Sequence, residues 1–162
     1  MSNPTTAERT SEREIVVTRT FDAPARIVFK AWTTADLFRV WWTPKSLGMH
    51  LRSCEMDVRV GGGYRLEFGE DAANTMAFFG TYTEVTPPSR LVWTNDESDD
   101  GPVTTVTFEE TDGRTLVVLH ELHPSKEAVD DAIGFGEGLR ETFEQLDELL
   151  VTLAGSSGQK VK

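Results

Sequence analysis

Apolar residues recur along this chain with two different periods, and the changes of period mark its elements. The β-branched run Ile15-Val16-Val17-Thr18 has strand composition. Asp22-Ala23-Pro24 breaks that strand, and Pro24 suits the first turn of a helix, where its missing N–H is no loss. Ile27, Val28, Ala31 and Trp32 follow at helical spacing and give this helix one apolar face. Thr33 or Thr34 can cap a second short helix that ends at Trp41-Trp42-Thr43-Pro44. Two adjacent tryptophans before a proline do not both fit a small core. At least one is expected at a pocket mouth or against a neighbouring element.

The middle of the chain has strand period. Leu51 to Val60 is a strand with Gly61-Gly62-Gly63 as its turn, and Tyr64, Leu66 and Phe68 alternate with Arg65 and Glu67. Phe78 to Val85 is the next strand, closed by Pro87-Pro88. Leu91 to Thr94, Val103 to Glu109 and Thr115 to Leu122 follow, the last two joined as a hairpin by Asp112-Gly113. With the N-terminal strand this makes seven, mostly antiparallel by their short connections. From Ser125 to Leu153 the period returns to helical, with Ala132, Phe135, Leu139, Phe143, Leu146, Leu150 and Leu153 at three- and four-residue steps. The predicted architecture is α+β: a bent antiparallel sheet gripping one long C-terminal helix. Gly134, Gly136 and Gly138 fall in the first half of that helix, where each costs roughly 1 kcal/mol relative to alanine. A close contact, a cavity beneath that half, or a later helix start would each account for them.

Residues 1–12 read as a disordered polar tail, 13–154 as a single domain and 155–162 as a flexible end. A chain of 162 residues is long enough to bury roughly 70% of its unfolded surface. No apolar run approaches the roughly 20 residues that span a bilayer, and the N-terminus lacks the apolar core of a secretory signal. A lone cysteine, Cys54, precludes an intrachain disulfide and fits a reducing cytoplasm. The net charge of −11 argues against nucleic acid and against an anionic membrane surface as partners.

Few residues offer chemistry. None of His50, His120 and His123 lies in a nucleophile motif, and Cys54 reads as a small apolar strand residue. His120 and His123 are three apart on a strand and point to opposite faces, so with Glu121 they read as a solvated strand end and not a metal site. Asp96 to Gly101 has the spacing of the start of a calcium loop, but Thr107 stands where a bidentate glutamate is needed, so it reads as an acidic turn. No metal or cofactor is expected.

The segment Arg19 to Pro44, with Asp57-Val58-Arg59-Val60-Gly61-Gly62, Gly80-Thr81-Tyr82-Thr83-Glu84-Val85, Pro87-Pro88-Ser89-Arg90-Leu91-Val92 and the helix around Gly138-Leu139, resembles the Hsp90-ATPase-activator-like proteins, a branch of the START-like helix-grip superfamily. The resemblance runs from about Glu14 to Ala154. It implies a pocket for a small hydrophobic or aromatic molecule between sheet and long helix. By strand parity, Phe68, Tyr82, Trp93, Phe108, Val117, Leu119 and Glu121 face the helix, answered by Phe135 and Leu139, with Phe38 and Trp42 near the entrance. Glu121 inside such a pocket needs a partner, for which Arg59 or Arg19 is in reach of the pattern; the alternative is a packed core with Glu121 exposed.

Two further functions fit the resemblance. One is a polyketide-cyclase type of enzyme, with Tyr82 and Glu121 in acid–base roles. The other is an Hsp90 co-chaperone, although the chain has no room for the separate N-terminal docking domain of true activators. Leu116, Val118 and Leu122 point outward and, with Trp41-Trp42, form an apolar patch suited to a homodimer.

Overall fold

A computed structural model describes residues 5–43, 51–69, 75–96 and 101–161, with backbone alone for 131–138 and 154–161. Among the described residues eight strands form one antiparallel sheet: β1 (Thr6–Arg9), β2 (Glu14–Phe21), β3 (Leu51–Met56), β4 (Gly63–Gly69), β5 (Thr75–Thr86), β6 (Arg90–Thr94), β7 (Val103–Thr111) and β8 (Arg114–Leu122). Their order across the sheet is β1-β2-β8-β7-β6-β5-β4-β3. Two short helices, α1 (Ala25–Thr33) and α2 (Ala35–Trp41), follow β2, and α3 (Lys126–Val161) follows β8.

The eighth strand lies where a disordered tail was expected. Thr6–Arg9 pairs with Ile15–Thr18 and forms the sheet edge. Its side chains carry no apolar alternation, so the composition hides it; backbone pairing and polar contacts hold it instead. Buried Thr5, just before the strand, accepts from Arg19 Nη1 at 2.9 Å through its hydroxyl and from Arg140 Nη1 at 2.6 Å through its carbonyl. Thr6 and Thr18 share a hydroxyl–hydroxyl bond across the pair. At the other end, α3 continues through residues 155–161, which were expected as a flexible end.

The expected hairpin is present. Asp112 and Gly113 take φ of 55° and 78°, the left-handed pair that a two-residue turn between Thr111 and Arg114 requires. Pro24 sits one residue earlier than expected, at the N-cap of α1, and offers no side-chain cap. That task falls to Glu110 on β7, whose carboxylate accepts from the Ala25 N–H at 2.8 Å and places negative charge at the helix start. The glycines of α3 lie inside a helix that already begins at Lys126, which excludes a late start as their explanation.

The core is aromatic at its centre. Trp32 on α1 lies within 4.7–6.4 Å, centroid to centroid, of Phe38, Trp41, Trp42, Trp93, Phe108 and Phe143. One side chain thereby joins both short helices, two strands and α3. Trp41 is fully buried and donates its indole N–H to the Ala31 carbonyl at 3.0 Å, whereas Trp42 is half-buried and stacks on Phe38 at 4.8 Å. Gln145 on α3 satisfies the end of α2, donating to the carbonyls of Trp41 and Thr43 at 3.0 and 2.9 Å. Arg19, buried on β2, reaches Asp147 of α3 at 3.3 Å and fixes the helix over the β1–β2 side of the sheet.

Truncation at this centre should be among the most damaging changes in the protein. Trp32→Ala is expected to cost about 4 kcal/mol, read as a lowered urea midpoint, whereas exposed Val151→Ala should stay within about 0.5 kcal/mol of wild type.

Candidate functional site

The strand register lays the helix-facing side of the sheet out in transverse rows. One row runs Val17, Leu119, Val106, Leu91 and is entirely buried and apolar. The neighbouring row runs Ile15, Glu121, Thr104, Trp93, Tyr82 across β2, β8, β7, β6 and β5. Two polar residues therefore sit in the middle of an inward row, and both are buried.

They belong to a hydrogen-bonded chain that spans the sheet. The Tyr64 hydroxyl donates to Asn95 Oδ1 at 2.7 Å, Asn95 Nδ2 donates to Thr104 Oγ1 at 3.1 Å, and Thr104 Oγ1 donates to Glu121 Oε2 at 3.4 Å. From the far side His123 Nε2 meets Glu121 Oε1 at 3.1 Å. Both carboxylate oxygens are thus engaged, and the side chains of Glu121 and His123 are only 8% and 4% exposed. Tyr64 and Asn95, half-buried, form the outer end of this polar lane.

Local sequence explains the placement. His123 lies one residue beyond β8, yet its N–H donates to the Arg13 carbonyl at 2.8 Å and its carbonyl accepts from Arg13 Nε at 2.9 Å, extending the β2–β8 pairing. Its parity then matches that of Glu121. At the other end Tyr64 pairs with Gly80. A Cβ on Gly80 would strike the Thr94 carbonyl oxygen and lie 2.7 Å from Tyr64 Cε2. Glycine at this position lets the Tyr64 ring cross β5 and reach Asn95.

Beside the lane is an aromatic shelf. Tyr64, Tyr82 and Trp93 form a triangle with centroids 6.0–6.4 Å apart, all inclined edge to face. Burial drives the Tyr82 hydroxyl far above its ordinary pKa and also raises the Cys54 thiol. Neither group is poised to act as a base or nucleophile near neutral pH.

The expected apolar site residues Phe38, Phe68, Tyr82, Trp93, Phe108, Val117, Leu119 and Leu139 are all buried members of one continuous core. Phe68, Tyr82, Trp93 and Glu121 face inward on the half of the sheet that holds the shelf and lane, and Trp42 is the half-buried ring on the α2 side. Phe38, Phe108, Val117, Leu119 and Leu139 lie nearer the short helices and α3, with Phe108 at 5.3 Å from Phe29 and 6.0 Å from Trp32. The side chain of Phe135 lies outside the described residues, as do His50, residues 97–100 of the acidic turn and whatever faces the α3 glycines.

Two pairings differ from expectation. Arg59 pairs with Asp57 on the surface and Arg19 pairs with Asp147, so the partner of Glu121 is His123. The strand end holding Glu121 and His123 is correspondingly buried and not solvated, and only His120 faces outward, 2.6 Å from Glu14. Sequence reasoning missed Tyr64, Asn95 and Thr104 as lane members. Parity could have found Tyr64 and Thr104, but Asn95 follows a strand end, where parity gives no guidance.

A groove of about 350 Å³ is lined by Glu55, Met56, Asp57, Gly63, Tyr64 and Arg65. It lies at the β3–β4 hairpin beside the outer end of the lane, not under α3. Among the described residues no cluster of three or more His, Cys, Asp or Glu side chains could hold a metal ion, and no helix is long and apolar enough to cross a membrane.

An open antiparallel sheet wrapped against one long C-terminal helix, with two short helices after the second strand, is the helix-grip class of fold. Residues 22–151 match the family described as Activator of Hsp90 ATPase homolog 1-like protein, and the chain belongs to that family. Solved structures agree. A Rhodobacter sphaeroides protein, 20% identical, superposes with a TM-score of 0.83 over 92% of this chain and 99% of its own. A Staphylococcus epidermidis protein is 27% identical, with a TM-score of 0.76 over 91% and 94%. An AHSA1-like protein from Aeromonas hydrophila is 23% identical, with a TM-score of 0.65 over 86% and 94%. No curated protein matches the chain.

The close approach at Gly80 generates a direct check. Gly80→Ala should displace Tyr64 from Asn95 and lower the thermal midpoint markedly, whereas Tyr64→Phe, which removes one hydroxyl, should cost only about 1 kcal/mol. Equal, small effects of both would show that Gly80 does not seat the ring.

Proposed function

We propose that the protein binds a small, mainly aromatic molecule on the helix-facing side of its sheet, against the shelf of Tyr64, Tyr82 and Trp93. The observation that carries this reading is the polar lane beside the shelf. Burying a carboxylate, an imidazole and a hydroxyl costs several kcal/mol unless each is paired, and the fold has no need of them, since the adjacent row is purely apolar. A mainly apolar surface with a few placed polar groups is what an orienting ligand site requires. Burial of Tyr82 and Cys54, which disfavours their charged forms, weighs for binding over acid–base catalysis through these residues. The lone cysteine supports placing this activity in a reducing cytoplasm.

Native mass spectrometry of the purified chain, with 2-methylnaphthalene added as a probe, tests the reading. A saturable one-to-one complex that dissociates on denaturation is expected, with affinity lowered at least tenfold in Trp93→Ala. No complex, with probe or with any co-purified molecule, would contradict it.

One observation favours self-association as well. On the outer face Val103 pairs with Leu122, both are over a third exposed (37% and 39%), and Leu116 on the same strand is 37% exposed. A homodimer through this patch should appear in sedimentation velocity and be lost in Leu122→Glu. A wild-type monomer at all concentrations would remove the idea.

A further inference from the structure

We infer that the outer face of the sheet docks a second copy of the chain, sheet against sheet, through β2, β8, β7 and β6 together, and that this dimer tightens as salt rises. The inference rests on the self-association reading above and names its geometry and its regulation.

The strand register orders the outer face as it orders the inner one. Its central row runs Val16, His120, Thr105, Val92 across four neighbouring strands. On one side lies the row Thr18, Val118, Thr107, and on the other Leu122, Val103, Thr94. No residue of these rows is buried. None is an aspartate, glutamate, lysine or arginine, although 27% of the chain is charged. Charge begins at the margins and is tied up within one copy: Glu14 meets His120 at 2.6 Å, and Glu84 meets Arg90 at 3.1 Å.

Charge selects the occupant. Two chains of net charge −11 repel one another, and an uncharged face is where they meet at least cost. A basic partner would be drawn instead to the acidic surface elsewhere on the chain. Nucleic acid finds no lysine or arginine in these rows to neutralise its phosphates.

Shape and area agree. All the side chains of the three rows except His120 and Leu122 are β-branched, which gives the face a low, regular relief. Two such sheets pack about 10 Å apart with their strands roughly 30° from parallel. Four strands about 4.8 Å apart, crossed by three rows about 7 Å apart, cover roughly 400 Å² per copy. That is half of the roughly 800 Å² per partner of a standard stable interface. The dimer is therefore weak and reversible, and its population follows the repulsion between the copies.

Sedimentation velocity of the full chain over a concentration series, in low and in high sodium chloride, reads both claims. Between about 0.1 M and 1 M salt the Debye length shrinks from about 10 Å to about 3 Å, and the dissociation constant should fall about fivefold. Thr105→Lys makes the chain less acidic, yet it should abolish the dimer by placing an unpaired charge at the centre of the contact. Val151→Lys, the same change of charge at an exposed position on α3, should leave the dimer intact. Amide NMR of the wild type gives a readout that needs no variant: dilution should move the resonances of Val16, Val92, Thr105 and Val118 and leave those of α3 in place. A dimer that weakens with salt, one that survives in a folded Thr105→Lys, or dilution shifts confined to Val103, Leu116 and Leu122 would overturn the sheet-on-sheet proposal and leave the smaller patch standing. A monomer at every concentration and salt would overturn both.

Discussion

The packing of Trp32 against six other rings is the constraint on which the rest of the structure depends. From α1 it touches rings of α2, the sheet and α3 at once, and Phe143 on α3 closes the cluster from the other side by meeting Trp32, Trp41 and Phe21 of β2. Its indole N–H is buried with no acceptor among the described residues, a cost of about 1–3 kcal/mol. Edge-to-face ring pairs are each worth roughly 0.5–1.5 kcal/mol beyond the area they bury, so several of them outweigh that loss. The arrangement fixes where the short helices stand. It thereby leaves α2 to present Trp42, stacked on Phe38, as a half-buried ring, and joins Trp93 to the core beside Tyr64 and Tyr82.

The inner face of the sheet then divides by chemistry. Rows near the α1 end are closed by Val117, Phe108, Leu119 and Val106, all buried against the helices, and behave as ordinary core. The row that contains Glu121 and Thr104 is different, because its polar atoms are satisfied by one another along a chain that reaches from β8 to β4, across five strands. Such a network is stabilising only when complete. Glu121, Thr104 and His123 are buried, and Tyr64 and Asn95 at the other end are half-buried. Its aromatic neighbours Tyr82 and Trp93 complete a surface that is apolar in area and polar at one edge.

Much of the fold was legible in the residues. β-Branched composition, alternation and turn residues placed seven of the strands, and the three- and four-residue steps of Phe143, Leu146 and Leu150 placed the long helix. Asp112-Gly113 specified its turn through backbone chemistry alone. The edge strand Thr6–Arg9 was not legible, because it has no apolar alternation and is held by backbone pairing and polar contacts. For the site, parity correctly turned Phe68, Tyr82, Trp93 and Glu121 inward. It could not tell which inward rings border the polar lane, since Phe108 and Trp93 face the same way and are both buried. The partner of Glu121 was also hidden: His123 gains its partner only because Arg13 carries the strand pairing one residue past the end of the hydrophobic pattern. Gly80 reads as a strand glycine and reveals its purpose only when Tyr64 is seen lying across it.

The central claim is that one end of the inner sheet face, and not the outer face, receives a ligand. Backbone amide NMR of the uniformly labelled chain, titrated with 2-naphthol, tests it most directly. The account predicts saturable shifts concentrated at Tyr64, Tyr82, Trp93, Asn95, Thr104 and His123. Shifts concentrated instead at Val103, Leu116 and Leu122, or no saturable shift anywhere, would contradict it.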